Sequence, residues 1–131
     1  MARILLVEDE EDFRDAFMRV LEGKGYEVCA VENAENALEK LRSNHFDLVI
    51  TDLLLPGMDG AELCRTLRAD SCYAHLPILM ISNMPQRLGI HITPHDARWA
   101  PLDRFMDKTA PLEDMARAVH ELISQLGHSR G

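Results

Sequence analysis

The chain has 131 residues, 47% of them apolar and 27% charged, the size and mix of one compact domain with no room for a second sizeable one. Twenty-two acidic residues against 14 basic ones give a formal charge of −8 with neutral histidines, a surface that repels phosphate backbones and anionic lipid, so neither direct nucleic-acid binding nor membrane association is expected. No apolar stretch nears the roughly 20 residues of a membrane span, no signal peptide is recognisable, and Cys29, Cys64 and Cys72 share no CxxC spacing, so a cytoplasmic protein with reduced thiols is expected.

The first predicted element is a strand over residues 4–7, followed by a helix with Phe13, Ala16, Phe17, Val20 and Leu21 on one face and Gly23 and Gly25 at its end. A second strand spans 28–31, and Asn33 is placed to cap a helix carrying Ala34, Ala37, Leu38 and Leu41. The third strand, 48–50, precedes a loop with Pro56 and Gly57, after which Asp59 caps a helix carrying Ala61, Cys64 and Leu67. A fourth strand covers 78–81. Residues 83–101 then hold Pro85, Gly89, Pro94 and Pro101, a density of breakers that predicts an irregular fourth crossover. A short strand at 105–106 leads to the last helix, with Met115, Val119, Leu122, Ile123 and Leu126 on one face and Gly127 at its end. The domain is expected over residues 1–127, with 128–131 as a short tail.

Apolar runs without alternation read as strands covered on both faces, and strands separated by helices run parallel, so a doubly wound five-stranded parallel sheet is predicted. Ligands of such sheets bind beyond the carboxyl ends of the strands. Those ends carry Glu8 and Asp9, then Asp52, then Ser82, then Asp107 and Lys108. The three acids together repel unless something positive sits among them. Mg2+ is the natural neutraliser, because it takes one or two carboxylates, keeps several waters and completes its shell with phosphate oxygens. Lys108 supplies a compact positive charge for a phosphate oxygen and Ser82 a hydroxyl donor. This set describes a phosphoryl site with Asp52 as the nucleophile.

The same residues resemble the receiver domain of two-component response regulators over nearly the whole chain. The run Ile4-Leu5-Leu6-Val7-Glu8-Asp9-Glu10 is similar to that family's opening strand and acidic pair. The stretch from Asp47 to Gly60, with Asp52, Pro56 and Gly60, is the most specific match; Pro77 to Ser82 and Arg104 to Lys108 match the fourth and fifth strands. The resemblance implies a flavodoxin-like strand order 2-1-3-4-5. It makes Asp52 the acceptor of a phosphoryl group from a histidine kinase or phosphotransfer protein. Glu8, Asp9, Asp52 and the backbone carbonyl of Leu54 would hold Mg2+, Lys108 would pair with the carboxylate and then its phosphate, and Ser82 and Phe105 would form the switch read by a downstream protein partner. The chain is thus expected to be a signalling phosphoacceptor rather than an enzyme. Its output is expected to pass through protein contact, because the chain ends with the last helix.

Three positions depart from the family pattern. Asn83 follows Ser82 where the family has a small residue, so it is expected to modulate phosphorylation. Thr109 follows Lys108 in place of a proline after a cis bond; a cis Lys108–Thr109 bond would cost about 2.5–4 kcal/mol, so either a trans bond or local strain is expected there, and with it a shifted Lys108. The irregular crossover changes the face that family members use for partners. On those grounds the alternative is a phosphorylation-independent receiver-like binding module. A Mg2+-dependent phosphatase is the weaker third reading, since Leu54 stands where such enzymes carry a second acid. His91 and His95 have metal-ligand spacing, but Pro94 between them argues against a regular helix, and Trp99 is assigned to packing. No partners are evident for His45, His75, His120 and His128.

Overall fold

The computed structural model describes residues 2–82 and 103–130. Five strands, β1 (Arg3–Val7), β2 (Glu27–Val31), β3 (Leu48–Asp52), β4 (Ile78–Ser82) and β5 (Arg104–Asp107), form one sheet in the order β2-β1-β3-β4-β5. Every neighbouring pair is parallel. The described helices are α1 (Glu11–Gly23), α2 (Ala34–Ser43), α3 (Gly60–Ala69) and α4 (Leu112–Arg130). The doubly wound parallel sheet read from the sequence, and the strand order implied by the family resemblance, are both present. The irregular fourth crossover, Asn83, His91, His95 and Trp99 lie outside the described residues. Among the described residues no helix is long and apolar enough to cross a membrane.

Successive strand residues point to opposite faces, so the continuous apolar runs feed two cores at once. Ile4 and Leu6 of β1, Leu48 and Ile50 of β3, and Leu79 and Ile81 of β4 meet Phe17 and Leu21 of α1 and Met115 and Val119 of α4. Leu5, Val7, Val49, Ile78 and Met80 face the other way, onto Ala34, Ala37 and Leu41 of α2 and Leu63, Cys64 and Leu67 of α3. The three central strands are buried almost throughout, whereas β2 and β5, at the edges, are largely half-buried.

Local chemistry sets the element ends. The Asn33 side chain accepts a 2.7 Å hydrogen bond from the Asn36 amide, and Asp59 accepts one of 2.8 Å from Glu62, as expected of N-caps. After α1 the chain turns at Gly25, whose φ of 95° lies where only glycine is unstrained. The last helix corrects the sequence reading: it continues through Gly127 to Arg130. A single glycine inside a helix costs only about 1 kcal/mol relative to alanine, which slows but does not stop propagation.

Candidate functional site

The site is built where β1, β3, β4 and β5 end together. Parallel register sets Val7 beside Thr51, Asp52 beside Ile81 and Ser82 beside Asp107, so the next residues of each strand emerge at one edge. Glu8 still belongs to the ladder, its amide donating to the Val31 carbonyl at 3.0 Å, and the Lys108 amide donates to Ser82 at 3.2 Å. Glu8, Thr51 and Ser82 are fully buried and Asp52 is 5% exposed, while Asp9 stands in solvent.

Lys108 organises the cluster. Its Nζ lies 2.9 Å from Asp52 Oδ2, 2.9 Å from Glu8 Oε1 and 2.8 Å from Glu10 Oε1, with the Phe13 ring centroid 4.8 Å away. Burial works against its charge, but close contacts with the Glu10, Glu8 and Asp52 carboxylates outweigh that penalty and hold its pKa above the ordinary lysine value. Asp52 is fixed on its other oxygen, where the Leu54 amide donates to Oδ1 at 3.0 Å. Below it, the Thr51 hydroxyl donates to the Asp52 carbonyl at 3.0 Å. Gly60 packs so closely beneath this turn that an added Cβ would come within 2.2 Å of the Asp52 carbonyl oxygen. Any side chain at position 60 would displace the backbone that carries Asp52.

Glu8 is the strained member. Burial raises its carboxyl from 4.5 to about 7, and the Asp52 charge adds to that; the Glu10 amide, which donates to Glu8 Oε2 at 2.9 Å, and the Lys108 ammonium act in the opposite sense. Oε1 lies 2.9 Å from the Lys108 ammonium as an ion pair but has no hydrogen-bond partner, a buried acceptor left unsatisfied. One carboxylate oxygen from each of Glu8, Asp9 and Asp52 lies within 4.8 Å of the others. An all-oxygen, acidic donor set with one unsatisfied buried acceptor fits a hard divalent cation.

Glu8, Asp9, Asp52 and Lys108 are therefore gathered, Ser82 and Asp107 end the neighbouring strands side by side, and Phe105 lies half-buried against the α2–α3 core. No cis peptide bond occurs among the described residues, so Lys108–Thr109 is trans as expected. Lys108 is not drawn off its partner by this: Thr109 folds back through its amide and hydroxyl onto Asp107 Oδ1, at 2.8 and 2.7 Å, and leaves the Lys108 side chain free to reach Asp52. Sequence reasoning missed the parts played by Glu10, by Phe13 and by Arg14, whose Nη1 donates to the Glu8 carbonyl at 3.0 Å. It also missed partners for two histidines: His45 lies 3.3 Å from Asp47, and His120 lies 3.4 Å from the Tyr26 hydroxyl.

The chain is thus a doubly wound sheet with an acidic cluster, a lysine on a central aspartate and a buried serine at the ends of its strands. The response regulator receiver domain model matches residues 4–120, and the chain belongs to that family. It is 33% identical over 124 residues to the response regulator receiver protein CpdR of Brucella abortus, spanning 94% of this chain and 98% of that one. Over 80 residues it is 40% identical to the DNA-binding response regulator MtrA of Mycolicibacterium smegmatis, covering 61% of this chain but only 34% of MtrA. The response regulator TrrA of Thermotoga maritima, solved in complex with Mg2+ and BeF, superposes with a TM-score of 0.78 at 30% identity, covering 93% of this chain and 99% of that one.

Proposed function

We propose that this receiver domain accepts a phosphoryl group on Asp52 from the phosphohistidine of a histidine kinase or phosphotransfer protein, and that the modified chain changes its affinity for a downstream protein. The observation that carries this reading is the Lys108 ammonium held 2.9 Å from a nearly buried Asp52 carboxylate, beside three further acids. An Asp52 carboxylate oxygen attacks phosphorus through a remaining lone pair; the P–N bond to the donor imidazole breaks, its electron pair returns to the ring nitrogen, and an acyl phosphate remains. Lys108 holds the nucleophile in line beforehand and afterwards pairs with the phosphoryl oxygens. Glu8, Asp9, Asp52 and the Leu54 carbonyl would hold Mg2+, which when bound neutralises the charge gathered on the acids and the phosphoryl oxygens.

Ser82 sits at the end of β4, where its hydroxyl can donate to the phosphoryl group. Its movement, with Phe105 turning into the space it leaves, is the proposed readout. Asn83, next in the chain, is proposed to modulate donor access. TrrA with its bound Mg2+ and BeF supports both the metal and the phosphoryl-mimic parts of this reading. The test is intact mass after incubation with Mg2+ and acetyl phosphate. One added phosphoryl group, absent from Asp52→Ala and from a chelated control, is the expected result. If no adduct forms, beryllofluoride is titrated with Mg2+, and failure of that mimic to bind refutes the phosphoacceptor reading.

A further inference from the structure

We infer that Glu10 acts as a carboxylate gate on Lys108, competing with the incoming phosphoryl group for the ammonium and so setting how readily the site is charged. This rests on Asp52 being the phosphoacceptor. Three carboxylates crowd the Lys108 ammonium at 2.8–2.9 Å, so an incoming anion competes with them for its charge. Glu8 is buried on β1 and Asp52 is the nucleophile itself; both are fixed. Glu10 alone is mobile by construction, with a side chain 60% exposed and the closest contact of the three, 2.8 Å.

A second observation shows that this position is given over to the lysine. Glu10 is the N-cap residue of α1, with extended backbone dihedrals of −82° and 106°, yet its side chain makes no capping bond. A shorter aspartate or serine here would cap the helix; the longer glutamate reaches across the mouth of the site to Lys108 instead. Its amide donates to Glu8 Oε2 and its carbonyl accepts from the Arg14 amide. The backbone is thus pinned while the carboxylate can swing into solvent. Glu10 is accordingly a positioning residue that acts through Lys108.

The test is beryllofluoride affinity at saturating Mg2+ in wild type, Glu10→Gln, Glu10→Asp and Asp52→Ala. One unit charge about 4 Å away in a watery mouth corresponds to roughly a five-fold effect. Glu10→Gln is expected to bind about five-fold tighter than wild type at low salt. That ratio should shrink toward one as ionic strength rises, because an exposed charge is screened whereas a packing change is not. Glu10→Asp, too short to hold Lys108 as closely, should fall between the two. Equal affinities for wild type and Glu10→Gln, or a ratio indifferent to salt, would overturn the gate while leaving Asp52 as acceptor. Absence of binding in every variant would overturn the acceptor reading and the gate with it.

Discussion

Without metal, Glu8 should make the protein less stable as pH rises across the physiological range. Its carboxyl titrates near 7 in the folded chain because burial disfavours the charge, against 4.5 as its ordinary value. Below 4.5 both the folded and unfolded chains carry the proton, and the residue has no net effect. Between 4.5 and 7 the folded chain keeps a proton that the unfolded chain has released, so stability falls as pH rises, by up to about 1.4 kcal/mol per unit. Above 7 both are ionised and the full penalty of about 3 kcal/mol is reached. The assay is urea denaturation from pH 5 to 8 in the presence of a chelator, comparing wild type with Glu8→Gln, which keeps the shape of the protonated acid. The difference should move against wild type by roughly 2–3 kcal/mol over that interval. With Mg2+ the carboxylate becomes the favoured form, so the slope should flatten and metal should bind more tightly as pH rises. A wild-type profile parallel to Glu8→Gln in chelator would refute the reasoning.

Gly60→Ala should destabilise the fold by about 1–3 kcal/mol and weaken beryllofluoride binding, because the new Cβ meets backbone atoms of Asp52 and Leu53 that cannot swing away; denaturation and titration together check it, and unchanged values would deny the close approach. Arg68 donates to the Tyr73 and Leu76 carbonyls at 3.2 and 2.7 Å and to Asp103 Oδ2 at 2.7 Å, tying the end of α3 to the start of β5. Arg68→Met, which keeps the apolar stem, should therefore cost about 2 kcal/mol in urea denaturation; a loss below about 0.5 kcal/mol would mean these bonds do no more than exposed surface pairs. The Cys64 thiol, pushed up to about 12 by burial, should resist alkylation at pH 8 while exposed Cys72 reacts. Mass spectrometry of peptides after brief iodoacetamide treatment tests this, and early modification of Cys64 in native protein would contradict its placement.

Much of the scaffold was legible because parallel strands buried on both faces leave unbroken apolar runs, as at 4–7 and 78–81, and because Asn33 and Asp59 announce helix starts. The strand order was not written in the residues; periodicity says which segments are strands, not which lie side by side, and it entered through the family likeness. The site was legible for a geometric reason, since a parallel sheet delivers every strand end to one edge. Glu10 was not, because in the run from Glu8 to Asp12 each residue is acidic, and only the turn into α1 aims one of them at Lys108. Nor was Arg68, whose three acceptors lie on two segments five to 35 residues away. Gly127 misled because glycine marks helix ends only where the backbone turns left-handed.

The charges at this edge make metal and phosphoryl binding interdependent. When all are ionised, Glu8, Asp9, Glu10 and Asp52 set four negative charges around the Lys108 ammonium, with the Arg14 guanidinium on the Glu8 carbonyl as a second positive charge among the described residues. Without metal, a proton on Glu8 eases that deficit, as its raised pKa allows. A phosphoryl group adds negative charge to the same few ångströms, so its retention demands more countercharge than Lys108 alone supplies. A dication there lowers the cost of the phosphoryl anion, and linkage requires the anion to tighten the dication by the same factor. Beryllofluoride should accordingly lower the Mg2+ dissociation constant of the wild-type chain, and the fold-change should equal that by which Mg2+ strengthens beryllofluoride. If neither ligand shifts the dissociation constant of the other, the shared-charge coupling is refuted.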